Sequence, residues 1–244
     1  MNNHGPKTIP TISPKQIRAA YNESYDSSDH LRDSDTSYRW VLEKLKVARG
    51  TALLDIACGH GVLLKEAELK GLHCTGVDIS ISAAKIASDS CPDSIVMVAN
   101  GEHLPFMDQT FETITNLGSL EHFIYPEIGI QEICRILRPG GKVAILLPNS
   151  YYLGDLILKV WRKGYGPNHR QILERFATVN EWKDFIEANG LKVDAVHKYN
   201  FFLPKTRADW GWFRKHPRRL IPPLLGLVTP FNFSFSFLYI CSVK

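Results

Sequence analysis

The stretch from Leu53 to Gly61, LLDIACGHG, joins a short apolar run to two closely spaced glycines. Glycine allows a tight turn with positive φ and lets a ligand approach the backbone closely. Such a turn between a buried strand and the start of a helix is a common place for a nucleotide-like ligand. Gly59 and Gly61 therefore predict a small-molecule site, with the carboxylate of Asp55 beside it.

The residues around this turn favour a cationic ligand over a dinucleotide. A dinucleotide fingerprint requires glycine or alanine at its sixth position, where this chain has the bulky Leu64. Asp55 is a poor neighbour for a pyrophosphate, but it attracts a ligand that carries an ammonium and a sulfonium. S-adenosylmethionine carries both groups and no phosphate. The turn thus predicts that cofactor, with an NAD(P)-linked oxidoreductase as the alternative.

A second carboxylate follows the next predicted strand, in the segment GVDIS from Gly76 to Ser80. Asp78 lies at about the spacing expected for a carboxylate that accepts hydrogen bonds from both ribose hydroxyls. Three more segments follow in order along the chain: VANGEHLPF from Val98, FETITNLGSLEH from Phe111 and LRPGG from Leu137.

Alternating strands and helices position these segments and predict parallel βαβ units with helices on both faces. The predicted strands cover 52–56, 74–77, 95–99, 113–116 and 142–147, and the predicted helices cover 62–70, 82–88 and 128–137. Helices are also expected over 15–25 and 38–47, the second capped by Asp35 or Thr36 and closed by Gly50. Thr178 and Glu181 form a capping-box pattern before a helix that ends at Gly190. Strands are expected over 191–199 and 235–243.

With these segments in this order, the chain resembles the class I S-adenosylmethionine-dependent methyltransferases of small molecules, a group that includes the quinone-type methyltransferases. The resemblance runs from about Leu53 to Val193. It implies a Rossmann-like, doubly wound α/β fold with a seven-stranded, mostly parallel sheet whose last strand is antiparallel. We therefore expect an N-terminal tail and lid helices over 1–50 and a cofactor-binding core over 51–199. An insertion over 200–234 would cover the substrate, and 235–244 would be the terminal strand of the core.

The resemblance also implies roles for individual residues. Asp55, Ala57, Gly59 and Gly61 would line the methionine end of S-adenosylmethionine, and Leu117 would offer a backbone carbonyl to its amine. Other residues would bind the nucleoside: Asp78 the ribose, Ile79 the adenine face, and Asn100 with Gly101 the adenine edge.

The chain departs from the family pattern at two of these positions. Ala57 stands where glycine is more usual. Asn100 stands where an aspartate often accepts a hydrogen bond from the adenine amino group, so a neutral acceptor and weaker cofactor affinity are expected.

Transfer of a methyl group from a sulfonium requires a general base only when the acceptor enters protonated. The candidates are His122, which the resemblance places near the methyl-transfer face, His169 and Tyr21. Tyr25 and Tyr152 are further candidates, and each of these side chains also has a structural interpretation. The sequence leaves O-, N- and C-methylation open, as well as a cofactor-binding module without turnover.

Several function classes fit the sequence less well. The net charge is only +4, which does not indicate nucleic-acid binding. After the fourth strand the chain reads Asn116-Leu-Gly-Ser119 rather than the Asn/Asp-Pro-Pro-aromatic pattern of nucleobase amino methylation. The five cysteines are scattered, which argues against a zinc site or a disulfide framework. An RNA or protein methyltransferase is therefore a weaker alternative, and no metal is expected.

The insertion gives the only indication of the acceptor. It places Trp210, Trp212 and Phe213 beside Arg and Lys residues, before an uncharged stretch. We expect 203–232 to favour a lipophilic acceptor or to contact a membrane surface. Pro222, Pro223 and Pro230 argue against a spanning helix. The first residues lack the apolar core of a secretory signal, so a cytoplasmic location, with or without membrane association, is expected.

Overall fold

The computed structural model of the chain describes residues 12–26, 35–166, 172–200, 203, 210–211, 214–215, 217 and 221–244. Its strands are β1 Ala52–Ile56, β2 His73–Asp78, β3 Ile95–Val98, β4 Phe111–Leu117, β5 Leu137–Pro148, β6 Leu191–Tyr199 and β7 Ser236–Val243. They form one seven-stranded sheet in the order β3-β2-β1-β4-β5-β7-β6. Only β7 runs antiparallel to its neighbours β5 and β6. The predicted sheet is confirmed.

The helices are α1 Pro14–Asp26, α2 Asp35–Leu45, α3 Val62–Leu69, α4 Ile81–Ser90, α5 Pro126–Ile136, α6 Leu153–Asp155, α7 Val179–Ala188 and α8 Ile221–Val228. A π-helical turn, Leu156–Trp161, continues α6, and 3-10 turns lie at Leu120–His122 and Phe231–Phe233. Two buried apolar clusters sandwich the sheet. One contains side chains of α5 and α7, and the other contains side chains of α2, α3 and α4. Helices therefore cover both faces, as expected.

The strand register places the chemistry-bearing residues at one edge. Asp55 of β1 lies opposite Gly76 of β2 and Thr115 of β4. Because the strands are parallel, their carboxyl ends meet at this edge, where ligands of open α/β sheets bind. The capping box before α7 is confirmed, since the Thr178 hydroxyl accepts from the Glu181 backbone N–H and Glu181 accepts from the Thr178 N–H.

Some boundaries differ from the sequence expectation. α2 begins at Asp35 and ends at Leu45, because Lys46 adopts φ 54° and stops the helix before Gly50. β5 begins at Leu137 because this residue already pairs with Phe111, ahead of the Pro-Gly-Gly segment. α8 tolerates Pro222 and Pro223 because they lie in its first turn, where no N–H is needed.

None of the described helices is both long and apolar enough to cross a bilayer. All five cysteines are free thiols. Within the described ranges no cluster of side chains suitable for holding a metal ion is found.

Candidate active site

The glycine turn has an unusual backbone. Ala57, Gly59 and Gly61 adopt φ of 61°, 52° and 75°, and α3 begins at the next residue. The turn is held against the end of β2, since the Gly59 N–H donates to Asp78 Oδ2 at 2.9 Å and the Cys58 N–H donates to the Val77 carbonyl at 3.0 Å. The backbone thus turns away from the sheet and leaves space above the strand ends.

That space is a cavity of about 190 Å³. Its walls come from the ends of β1, β2 and β4, the segment after β3, and helices α1 and α2. The structure brings together in this lining all but two of the predicted site residues: Tyr21, Asp55, Ala57, Gly59, Asp78, Ile79, Asn100, Gly101, Leu117 and His122. Gly61 is not in the lining, and His169 lies outside the described residues.

The charge of the cavity is one-sided. Asp55, Asp78 and Glu102 line it, and no lysine or arginine is among the described lining residues. All three carboxylates are almost fully buried. A pyrophosphate would therefore face carboxylates without a counter-ion, whereas an ammonium or sulfonium would be attracted by them. The cavity fits a cationic ligand and not a dinucleotide.

The two aspartates have different environments. Asp55 Oδ1 accepts a hydrogen bond from the Thr115 hydroxyl at 2.7 Å, and burial raises the pKa of Asp55 to about 7, with a smaller contribution from Asp78. Asp78 accepts backbone N–H bonds on both oxygens, from Ser80 at 2.8 Å and from Gly59. Burial raises the pKa of Asp78, and these hydrogen bonds oppose the shift. Asp78 therefore braces the glycine turn as well as facing the cavity.

Gly61 has a packing role. A Cβ at this position would lie 2.9 Å from Cys91 Sγ and 3.1 Å from the Ala87 Cβ, so the glycine lets α3 approach α4 closely. Leu64, whose bulk argued against a dinucleotide, is accommodated by Gly76 on β2. A Cβ there would lie 2.6 Å from a Leu64 methyl carbon.

The candidate bases differ in position and protonation. His122 is buried at the cavity wall; its Nδ1–H donates to the Leu173 carbonyl, and its Nε2 lies 3.6 Å from Glu121 Oε1. Burial and nearby carboxylates raise the pKa of Tyr21, and burial with Asp78 raises that of Tyr25, so both hydroxyls stay protonated. Tyr152 packs its ring against Phe235 and is not among the described lining residues. His169 lies outside the described residues.

Helix α1 covers the cavity and is anchored at the cofactor end. Ile17, Tyr21 and Tyr25 line the cavity from above. The side-chain carbonyl of Asn22 accepts hydrogen bonds from the Ser80 hydroxyl at 2.8 Å and the Ile81 N–H at 2.9 Å, at the start of α4. No described residue of 203–232 lines the cavity. The predicted cover by this insertion therefore stays a prediction.

Phe123 was missed by sequence reasoning. It lines the cavity, and its ring fills the space left by the missing side chains of Gly101 and Gly129; a Cβ at Gly129 would lie 2.6 Å from the ring. Arg175 donates hydrogen bonds to the carbonyls of Glu121, Phe123 and Ile124 and so fixes this turn of the wall. A glycine on each side of an aromatic ring is the only sequence signal, and it becomes visible only in three dimensions.

Residues 54–145 match the family model Methyltransf_11, described as a methyltransferase domain. This match identifies residues 54–145 as a methyltransferase domain. The cofactor of this domain is S-adenosylmethionine, and the negative cavity with its open glycine turn fits that molecule. Asp55, Ala57, Gly59 and Asp78 line this cavity at the glycine turn.

Curated relatives agree with this family. Over 138 residues the chain is 30% identical to the demethylmenaquinone methyltransferase of Corynebacterium urealyticum, covering 54% of this chain and 59% of that protein. Over 173 residues it is 27% identical to the 2-methyl-6-phytyl-1,4-hydroquinone methyltransferase of a Synechocystis species, covering 66% and 50%. The match thus spans only a half to three fifths of the length of these two relatives.

A solved structure supports the fold of the methyltransferase domain. The SAM-dependent methyltransferase from Methanosarcina mazei superposes with a TM-score of 0.57 at 18% identity, covering 82% of this chain and 95% of that one. At this identity the likeness shows the fold alone.

Proposed function

We propose that the protein transfers a methyl group from S-adenosylmethionine to a carbon of a quinone-type, lipophilic small molecule. The choice of S-adenosylmethionine as cofactor rests on the cavity. It has Asp55 and Asp78 at the glycine turn and no lysine or arginine among its described lining residues. Neither an NAD(P)-linked oxidoreductase nor a nucleic-acid enzyme is favoured by that charge.

The acceptor half of the proposal comes from the relatives. The two named above are methyltransferases of demethylmenaquinone and of a phytyl hydroquinone. Phe123 and Ile124, next to His122 in the chain, give the cavity apolar walls of the kind that such a ring needs. We propose the reduced, hydroquinone form as acceptor, because a deprotonated hydroxyl raises electron density on the neighbouring ring carbon.

His122 is the proposed general base. A carbonyl only accepts, so the hydrogen bond to Leu173 places the proton on Nδ1 of the neutral ring. Nε2 then has a lone pair to take the hydroxyl proton of the acceptor, and the carboxylate of Glu121 stabilises the imidazolium that forms. Tyr21 stays protonated and would serve as a hydrogen-bond donor.

When bound beside Asp55 and the glycine turn, S-adenosylmethionine would supply an electrophilic methyl group, which the acceptor carbon would gain as the methyl–sulfur bond breaks. The ring carbon then loses its own proton and aromaticity returns. The products are the methylated hydroquinone, S-adenosylhomocysteine and one proton in total. The protein's contribution is to align the acceptor and to exclude water. Helix α1 excludes water by covering the cavity.

Binding and turnover test this proposal separately. Calorimetric titration should detect binding of S-adenosylhomocysteine but no binding of NAD. In a turnover assay, the labelled methyl group of S-adenosylmethionine should reach a ring carbon of a demethylnaphthoquinol. His122→Asn keeps a donor near the Nδ1 position but removes Nε2. It should lower kcat about 100-fold or more with the cofactor Kd unchanged. Cofactor binding with no turnover on any quinol would point to a binding module, and label on oxygen would contradict C-methylation.

Membrane contact through 203–232 and a cytoplasmic location are part of this proposal. In that segment the described residues Trp210, Arg214 and Lys215 are exposed, which supports contact with a charged interface. Trp212, Phe213, Arg218 and Arg219, which motivated the prediction, lie outside the described residues.

A further inference from the structure

Two long excursions leave the sheet at the edge that holds the cavity. The first runs from the end of β5 to α7, and the second from the end of β6 to the start of β7. The register places Pro148, Ser236 and Tyr199 side by side on adjacent strands. β5 and β6 are parallel to β1, β2 and β4. Both excursions therefore begin at the carboxyl-terminal ends of the parallel strands, where the cavity also lies.

The bases of the excursions are joined to each other. The Asn149 side-chain amide donates to the carbonyls of Asn232 and Ser234 at 2.8 and 2.9 Å. The rings of Tyr152 and Phe235 meet edge to face with centroids 5.2 Å apart. The turn Leu156–Trp161 and helix α8 with the turn Phe231–Phe233 therefore project from neighbouring points; we call these segments the two arms.

Both arms expose large apolar side chains to solvent. Trp161 is 81% exposed on the first arm, and Val228 is 77% exposed on the second. The others, each more than a third exposed, are Ile157, Leu158, Val160, Leu224, Leu225, Leu227, Phe231 and Phe233. Large apolar side chains exposed in such number on two neighbouring segments are uncommon on a soluble protein and mark a place where another apolar body docks.

The charges beside the arms select the kind of partner. Exposed Arg162 and Lys163 follow Trp161, and exposed Arg214 and Lys215 precede α8. The one acidic residue among the described positions of 153–166 and 203–233 is Asp155, which pairs with Lys159 at 2.9 Å. Apolar side chains framed by cations match the boundary between acyl chains and anionic headgroups.

We infer that the two arms form one surface that docks on an anionic lipid bilayer, with Leu158 and Trp161 of the first arm as its anchor. The first arm contains none of the residues from which membrane contact was predicted. Later in the same excursion, Leu173 accepts from His122 and Arg175 holds the turn with Phe123, and both His122 and Phe123 line the cavity. The docked face thus brings the rim of the cavity to the lipid surface. For the delivery of a lipophilic acceptor this inference rests on the proposed function.

Vesicle co-sedimentation tests the surface. Wild type should sediment with phosphatidylcholine vesicles that contain about a third phosphatidylglycerol, and less at high salt or with phosphatidylcholine alone. The variant Leu158→Ser/Trp161→Ser should lose about tenfold in affinity. Arg162→Gln/Lys163→Gln should reduce the salt dependence. The control is Met107→Ser, an 83% exposed apolar side chain before β4, at the opposite edge of the sheet.

Several results would overturn the inference: no binding of wild type to anionic vesicles at low salt, an equal loss in Met107→Ser, or a lipid-free dimer that the Trp161 variant abolishes. The methyltransferase proposal is tested apart, with S-adenosylhomocysteine binding and with a short-chain quinol in the absence of vesicles. The Leu158→Ser/Trp161→Ser variant should match wild type in both. Failure to methylate any quinol would contradict the proposed function and leave the vesicle result standing.

Discussion

The two ends of the cavity are built on different principles. The cofactor end consists of backbone in a left-handed conformation and two buried carboxylates, all within the strand ends of β1 and β2. The wall at which we propose the acceptor consists of side chains held by partners far along the chain, such as His122 against Leu173 and Phe123 next to the carbonyls that Arg175 holds. We therefore expect the first end to fix the position of the cofactor, and the second to tolerate changes that leave cofactor binding intact.

The largest effect is expected at the glycine turn. Gly59→Val should abolish S-adenosylhomocysteine binding, because φ is 52° and an added Cβ would lie 3.1 Å from the Tyr25 hydroxyl oxygen, inside the lining of the cavity. Gly140→Val is the matched control: φ there is 79°, but nothing lies within 4 Å of the added carbon. Calorimetric titration of both variants separates the two causes. Equal loss in Gly140→Val would make backbone strain, not the site, responsible.

A smaller loss is expected at the second carboxylate. Asp78→Asn keeps the size of the side chain but replaces one carboxylate oxygen, which accepts from a backbone N–H, by an NH2 group that can only donate. It also removes the negative charge that we expect to face the ribose. Cofactor binding should weaken by about 2–3 kcal/mol. Asp194→Asn, which removes an acid that pairs with Lys142 on the surface, should bind normally. A folded Asp78→Asn protein with wild-type affinity would contradict the role of this residue.

Arg175→Lys tests the other end of the cavity. Lysine cannot donate to three carbonyls in the plane that the guanidinium now reaches, so the turn that carries His122 and Phe123 should loosen. We expect kcat to fall about tenfold with the cofactor Kd nearly unchanged. Steady-state kinetics beside titration would show the split. An equal change in both quantities would mean that the two ends are not independent.

This division also explains what the sequence could predict. The cofactor residues lie in short segments directly after predicted strands, so strand order alone brings Asp55, Gly59 and Asp78 together. Phe123 packs on Gly101, 22 positions away, and Arg175 holds the Phe123 carbonyl from 52 positions away, and no local pattern encodes these contacts. Lys46 is a similar case: it ends α2 in a left-handed conformation that usually belongs to glycine, so Gly50 was the wrong helix stop.

A fall in pH should stabilise the protein without cofactor and should weaken its affinity for the cofactor. The pKa of Asp55 is about 7 in the folded protein, above its ordinary value of about 4, so the folded state binds this proton more tightly. Its contribution to apoprotein stability is therefore present at low pH and lost as pH rises from about 4 through 7. A cation beside the carboxylate requires the ionised form. Cofactor affinity should thus fall up to tenfold per pH unit below about 7.

Melting curves and titrations between about pH 5.5 and 8 measure both trends. The isosteric variant Asp55→Asn should flatten both, because it removes the titrating group and keeps its volume. Affinity that rises as pH falls in wild type would show that Asp55 does not face the cationic part of the ligand.

The smallest effect is expected at Ala57, the non-glycine member of the turn. Its φ of 61° places the Cβ against the following carbonyl, which costs an L-residue about 1 kcal/mol or more, whereas glycine accepts this conformation freely. Glycine also gives the unfolded chain more conformational entropy, about 0.4–1 kcal/mol, which offsets part of the gain. Ala57→Gly should therefore change the free energy of unfolding by less than about 1 kcal/mol, in the stabilising direction.

Denaturant unfolding measures this change. The control is Ala48→Gly, in the connection after α2, which only raises the conformational entropy of the unfolded chain. A loss of stability at Ala57 as large as that at Ala48 would mean that the turn carries no strain and that its geometry is relaxed for alanine.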